Sequence, residues 1–300
     1  MDRSAIEHYY SAETSPRGFG YHALRAFSLI GVTRRHWTLF KHFFGRDLTA
    51  RFQGTALGPA WVLVQPLFLF CVYYVVFGIG FRQTLGGLHP GYFALYLFSG
   101  IVCFHAITGA TSAAMISITS NSNLVKKVVF PSELLPMVPA VVETTVFVAG
   151  FGVALAIGAT TGILAVDARL FALPLFLLVM VTLVAGIGFL LANSNVFVRD
   201  VRQLYAIVTM PWMFLSPNFW APGNMLIGDI AWVEPWMAAL NPAYCLLLAE
   251  RQILGMDDPS LGIVRNVWTN LGIAGVWAVG LFILGYGSFM AQKRKHADVV

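Results

Sequence analysis

Six stretches of this chain contain no Asp, Glu, Lys or Arg: residues 52–81, 83–125, 144–166, 170–198, 203–228 and 266–292. About 20 mostly apolar residues are needed to cross a hydrocarbon core as a helix. In lipid a lone segment must satisfy its own backbone hydrogen bonds, and a helix does so without a neighbour. The chain therefore reads as an all-α polytopic membrane protein with six transmembrane helices. Its overall composition agrees: 58% of the 300 residues are hydrophobic and 11% charged, against roughly 25% charged in soluble domains. Six helices use nearly the whole length and leave no room for a second soluble domain. The first 30 residues are polar and mixed in charge with no apolar core, so no cleavable signal peptide is expected.

Spans are expected near 58–81, 92–117, 135–163, 171–196, 204–221 and 264–290. With the N-terminus in the cytoplasm, the inside segments hold 15 of the 19 basic residues, and only Arg82, Arg169, Arg251 and Arg265 fall outside. That is the bias of the positive-inside rule, and it puts both termini in the cytoplasm. The segment Pro235–Ala249 is apolar but only 15 residues long, with Pro235 and Pro242 inside it. It is too short to span. It reads as a re-entrant or interfacial pair of short helices on the outer side, or as an ordinary loop lying on the membrane.

Ahead of the first span, Trp37, Phe40, Phe44, Leu48 and Phe52 recur every three or four residues, while Arg34, Lys41, His42, Arg46 and Thr49 lie largely away from that stripe. An aromatic face opposite a basic one marks a helix lying in the membrane interface, or one packed on a soluble partner. Four units follow: a cytoplasmic segment 1–32, an amphipathic interfacial helix 33–53, a transmembrane domain 54–290 and a cytoplasmic tail 291–300. In the first span Phe70, Tyr73, Tyr74 and Phe77 share one side. They either line a path for a ligand with apolar ring faces, or pack against protein and lipid. The one sizeable loop with basic residues between spans reads SNSNLVKKVVFPSELLP over 120–136: turn residues, a short segment with paired lysines, then Pro131 to end it.

Several chemistries are absent. None of the five lysines follows a glycine, so no GxxxxGK[ST] phosphate loop exists and the chain cannot hydrolyse ATP by that route. No HExxH, paired-Cys or clustered-His metal site occurs, no catalytic cluster is evident, and no cofactor or nucleic-acid partner is expected. Cys71, Cys103 and Cys245 stand singly in apolar surroundings and read as packing residues. Glu143 is the one clear ionisable residue within a span, two turns beyond Pro136 and so roughly 10 Å deep. An acid there is either functional or paired with a polar group.

The blocks GTALGPAWVLVQPLFLFCVYYVVFG (54–78), LFSGIVCFHAITGATSAAMISITSNSNLVKKVVFPSELLP (97–136), LLANSNVFVRDVRQL (190–204) and NPAYCLLLAERQILG (241–255) resemble the recurrent blocks of ABC-2 family permeases. They are most similar to the membrane subunits of polysaccharide ABC exporters for O-antigen, capsule and teichoic acid. The resemblance covers about residues 33–290, with the blocks in the family's order. It implies a homodimer paired with two copies of a separate ABC ATPase, exporting an undecaprenyl-linked glycan across a bacterial inner membrane. It also makes Asn121–Pro131 the coupling helix that enters a cleft of the ATPase, with Asn123, Leu124, Lys126, Lys127, Phe130 and Pro131 at the contact.

The resemblance further places a periplasmic gate at the short helices around 222–255, and sets the basic helix where a pyrophosphate-linked lipid arrives, met by Arg34, Arg35, Lys41 and Arg46. Glycans stack on aromatic faces, which would give Phe70, Tyr73, Tyr74 and Phe77, with Glu143, a place along the channel. The rival readings are an ABC-2 permease for a drug or non-glycan lipid, an ATP-independent carrier, and a lipid-modifying membrane enzyme. A carrier should show several intramembrane charges, and an enzyme clustered carboxylates or histidines at a membrane face. Neither pattern is present.

Overall fold

The computed structural model describes residues 20–21, 28–51, 53–82, 85, 88–127, 130–224 and 232–299. Most of segment 1–32, Phe52 of the aromatic stripe, Val128 of the lysine loop and residues 225–231 of the expected gate lie outside the described residues. Among the described residues the chain is predominantly helical, with no strands. In chain order it forms α1 (Ser28–Arg35), α2 (Trp37–Ala50), α3 (Trp61–Tyr73), α4 (Pro90–Ser120), α5 (Ser122–Lys127) and α6 (Leu134–Thr160). There follow α7 (Leu173–Phe197), α8 (Val201–Leu215), α9 (Val233–Leu240), α10 (Tyr244–Ile253) and α11 (Val267–Val299). The protein is a multi-pass membrane protein: among the described residues five helical segments are long and apolar enough to cross a bilayer, namely Gly58–Gly80, Gly91–Ser120, Leu134–Thr160, Ala168–Phe197 and Val267–His296.

The centre of the bundle is α4, packed between α6 and α7, with α11 lying along α7. Lipid tails are as apolar as leucine, so helices in a membrane associate through close contact of small residues rather than by fleeing water. Gly186 on α7 and Gly285 on α11 show this. A methyl on Gly186 would stand 2.5 Å from the backbone nitrogen of Phe282, and one on Gly285 would overlap the Gly186 carbonyl. Gly150 on α6 in the same way takes the side chain of Val102 from α4. Cys103 and Cys245 are buried packing residues, as expected, while Cys71 sits on the exposed side of α3.

The expected span near 204–221 differs from the others. Its helix, α8, stops at Leu215 after 15 residues, and Ser216 is extended. Side-chain contacts nonetheless follow α4 along most of its length. Arg202 bonds Thr119, the Tyr205 hydroxyl meets the Thr111 hydroxyl, Trp212 packs edge-on against Phe104, and the Tyr96 hydroxyl donates to the carbonyls of Pro217 and Trp220 at 3.2 and 2.8 Å. A helix of this length reaches only about 22 Å, and the rest of the path is irregular chain. Non-helical backbone at membrane depth is tolerated where protein encloses it; Ser216, Asn218 and Phe219 are all buried. Among the described residues the sixth expected span is thus a 15-residue helix with a non-helical extension.

Two further helices have features of note. The first span leaves α-helical geometry at Tyr74 and continues as a π-helix to Gly80. The last helix, α11, continues unbroken from the membrane span through the segment from 291 to Val299. His296 on it is fully buried and shares a hydrogen bond with Asn193 of α7 at 2.9 Å.

Candidate functional site

The short helix α5 closes the link between α4 and α6 at one end of the bundle, here the α5 end. Three elements brace the chain on either side of it. From α2, Arg46 donates to Asn121 at 3.2 Å, and the Asn121 amide donates in turn to the Ser117 carbonyl at 2.8 Å. From the start of α8, Arg202 donates to Asn195 of α7 and to Thr119 of α4 at 3.2 and 3.0 Å. From α11, Lys293 pairs at 2.8 Å with Glu133, which is buried just ahead of α6. A second contact from α2 is apolar: Phe130, following α5, packs edge-on against Phe43 with ring centroids 6.3 Å apart.

The residues expected to meet an ATPase therefore divide. Asn123 and Lys126 are exposed, whereas Leu124 and Phe130 are half-buried against the protein's own core and Pro131 is buried. Lys127 closes the helix; its side chain lies outside the described residues. The physical reason is simple: a six-residue helix has too few apolar positions to serve both its own attachment and a partner. What α5 presents outward is polar and basic.

The basic helix also divides. Arg34, Arg35 and Lys41 are exposed, but Arg46 is engaged by Asp47, by Asn121 and by the face of Phe43, whose ring centroid lies 5.1 Å from its guanidinium carbon. Arg46 is a tether as well as a surface charge. The buried face of α2 is Phe40 and Phe43, so the helix is rotated slightly from the stripe read through Phe44, and it packs on α6.

Between α2, α3, α4 and α6 lies a cavity of about 480 Å³ lined by Arg51, Trp61, Gln65, His105, Gly109 and Glu143 among others. Its polar centre is an ion pair between Arg51, just past α2, and Glu143 of α6. Glu143 lies nine residues into α6, about 14 Å from its start, and its carboxylate rests against Gly109, where a side chain would displace it. Of the residues expected along a channel, Glu143 alone lines this cavity. Phe70, Tyr73, Tyr74 and Phe77 are half-buried and stand together in a separate aromatic seam toward the far end. Phe70 stacks on Tyr74 and meets Phe98 of α4 edge-on; Tyr73 and Phe77 each lie 4.8 Å from Phe219, in the non-helical stretch after α8. The seam joins α3 to that stretch.

At the far end α9 and α10 are the expected pair of short helices, joined at Asn241, whose side-chain oxygen accepts from Trp212 and from the Ala243 amide. The pair does not lie on a surface as a whole: every residue of α10 is buried. Ion pairs Arg169–Asp257 and Arg265–Glu234 bind this end to the chain entering α7 and α11.

The residues missed in sequence are Arg51, Arg202 and Asn195. Only Arg51 carries a signal there, as the last cation before the first span with an intramembrane acid awaiting a partner. Among the described residues no group of three or more His, Cys, Asp or Glu could hold a metal ion.

Comparison with known proteins adds to this geometry. The family model described as ABC-2 type transporter matches residues 38–254. A Klebsiella pneumoniae protein described as O-antigen export system permease protein RfbA is 23% identical over 255 residues, covering 85% of this chain and 92% of its own length. A Myxococcus xanthus protein of the same description is 25% identical over 208 residues, covering 69% of this chain and 76% of its own.

Proposed function

This chain belongs to the ABC-2 type transporter family, and we propose that it is the permease subunit of an ATP-driven exporter that moves lipid-linked polysaccharide outward across a bacterial inner membrane. The relatives described as O-antigen export permeases support the cargo class. The observation that carries the mechanism is the mounting of α5. The chain on either side of this polar, basic helix is held by α2 at Asn121, by α8 at Thr119 and by α11 at Glu133. A separate ATPase docking on Asn123 and Lys126 would move three elements with one contact, and Leu124 and Phe130 would transmit the push inward. The chain itself does no covalent chemistry.

On this reading both termini are cytoplasmic, 1–32 and 291–300 face the ATPase side, 33–53 rests at the inner leaflet, and 54–290 is the transmembrane domain. Arg34, Arg35 and Lys41 face the leaflet from which a pyrophosphate headgroup arrives, with Arg46 beside them. The glycan passes Glu143 and then the aromatic faces of Phe70, Tyr73, Tyr74 and Phe77. Two copies of the chain pair through α3, no residue of which is fully buried in the single chain, and α8, whose Ile207 and Met210 are 68% and 69% exposed.

Copurification and transport test the whole. The tagged chain should bring down an ATPase in equal copies, and vesicles containing both should export lipid-linked glycan only with ATP. Transport by this chain alone without nucleotide would overturn the reading.

A further inference from the structure

Near the far end, five buried polar atoms gather around one turn of α4. Arg251, with no exposed surface, lays its guanidinium over the Tyr96 ring with its carbon 3.6 Å from the centroid. One of its nitrogens donates to the Tyr96 carbonyl at 3.4 Å, while Nε and Nη1 have no hydrogen-bond partner. Beside it Glu250 is 1% exposed, and its carboxylate, with the Ser99 hydroxyl near it, makes no hydrogen bond of normal geometry. Asn218, fully buried in the non-helical stretch after α8, donates to the Met213 carbonyl and leaves Oδ1 unpaired. Gly100 supplies the room: a methyl there would overlap Arg251 and stand 3.2 Å from Asn218 Oδ1.

Each unsatisfied buried polar atom is unfavourable, and such atoms call for an explanation. Here the set has a definite chemistry. Two donors from a cation, two acceptors from an anion and one neutral acceptor lie within a single patch. An anion would be repelled by Glu250 and a cation by Arg251. Hydroxyl groups, which donate and accept without charge, match the whole set. The patch is shut by the Ser216–Trp220 stretch, which rests on Tyr96 through the hydrogen bonds to Pro217 and Trp220.

We propose that Asn218, Glu250 and Arg251 form a buried subsite for the hydroxyl groups of a polyol ligand, closed by Ser216–Trp220 and uncovered when that stretch leaves α4. That the polyol is the exported glycan rests on the function proposed above. Bare helix termini in this stretch would serve a single donor type; a fork of arginine beside a carboxylate serves hydroxyls in either sense.

The test uses the assembled complex with Cys71, Cys103 and Cys245 replaced by serine and Ser99, next to Gly100, replaced by cysteine. Labelling by a small hydrophilic thiol reagent should be at least ten-fold faster in the vanadate-trapped complex than without nucleotide. Lipid-linked glycan extracted from the same cells should slow that labelling at least three-fold during turnover. Equal labelling in both nucleotide states would overturn the proposal. So would labelling that rises but ignores the glycan in a complex that exports it, and there the permease reading would stand. If wild-type vesicles export no glycan, the permease reading itself fails and the ligand class with it. A Glu250→Gln, Arg251→Met variant keeps shape and removes both charges. It should assemble with the ATPase and lose at least ten-fold in transport; unchanged transport would overturn the proposal, and should the variant fail to fold, the Ser99→Cys labelling decides.

Discussion

Arg51 and Glu143, 92 positions apart in the chain, meet in the lining of a cavity and tie the end of α2 to α6. The Arg51 side chain is 32% exposed and that of Glu143 11%, so the pair is neither a surface pair nor a dry one. Removing one partner leaves the other charge in a partly desolvated place, which costs more than removing both. A double-mutant cycle with Arg51→Gln and Glu143→Gln is expected to give a coupling of about 1–2 kcal/mol in thermal unfolding of the detergent-solubilised protein. Additive effects would mean that the two side chains do not depend on each other.

The division of α5 gives opposite expectations for neighbouring residues. Lys126 is exposed, so Lys126→Glu should leave expression and melting unchanged and weaken ATPase retention by ten-fold or more. Leu124 packs on the protein's own core, so Leu124→Asp should lower the melting temperature of the chain by several degrees before any partner is considered. Copurification and a melting curve on the same preparations separate the two. Equal behaviour of both variants would contradict the placement.

Arg202 touches neither the outward face of α5 nor the cavity, yet it bridges α7 and α4 beside that helix. Arg202→Gln is expected to keep ATPase binding and basal hydrolysis near normal while transport per ATP falls several-fold. Arg202→Lys should restore charge but only part of the coupling, since an ammonium cannot hold two partners in a fixed fork. A proportional loss of hydrolysis and transport would assign the residue to binding.

Ile207 and Met210 test the pairing of two copies. Cysteine at Ile207, in a background without the three native cysteines, should cross-link to its counterpart or to α3 of a second copy with a short bifunctional reagent. Only monomer on the gel, across positions 204, 207 and 210, would leave this face to lipid.

The long helices were legible because an absence of charge over 20 or more residues has one structural solution in a bilayer. The broken sixth path was not, because the stretch after Leu215 is as apolar as a helix. Pro217 alone does not reveal that enclosing protein, rather than a helix, satisfies its backbone. The lysine loop could be read because turn residues and Pro131 bracket it. The choice of partner for Glu143 could not, since any of several cations near the interface has the reach, and only the packing of α2 on α6 selects Arg51. Phe43 for Phe44 is the same kind of miss: a shift of one position on a helix whose buried side is chosen by its neighbour.

The contact between Gly186 and Gly285 has a mechanical consequence. Where two helices touch backbone to backbone, no side chain stands between them to change rotamer, and neither can slide without its carbonyls climbing over the other's. The α7–α11 pair is therefore an inextensible strut running the depth of the bundle, and Lys293 and His296 sit at one end of it. On the proposed function, a push delivered at α5 would meet little give along that strut. It would be taken up instead by α3 and α8, neither of which has a fully buried residue.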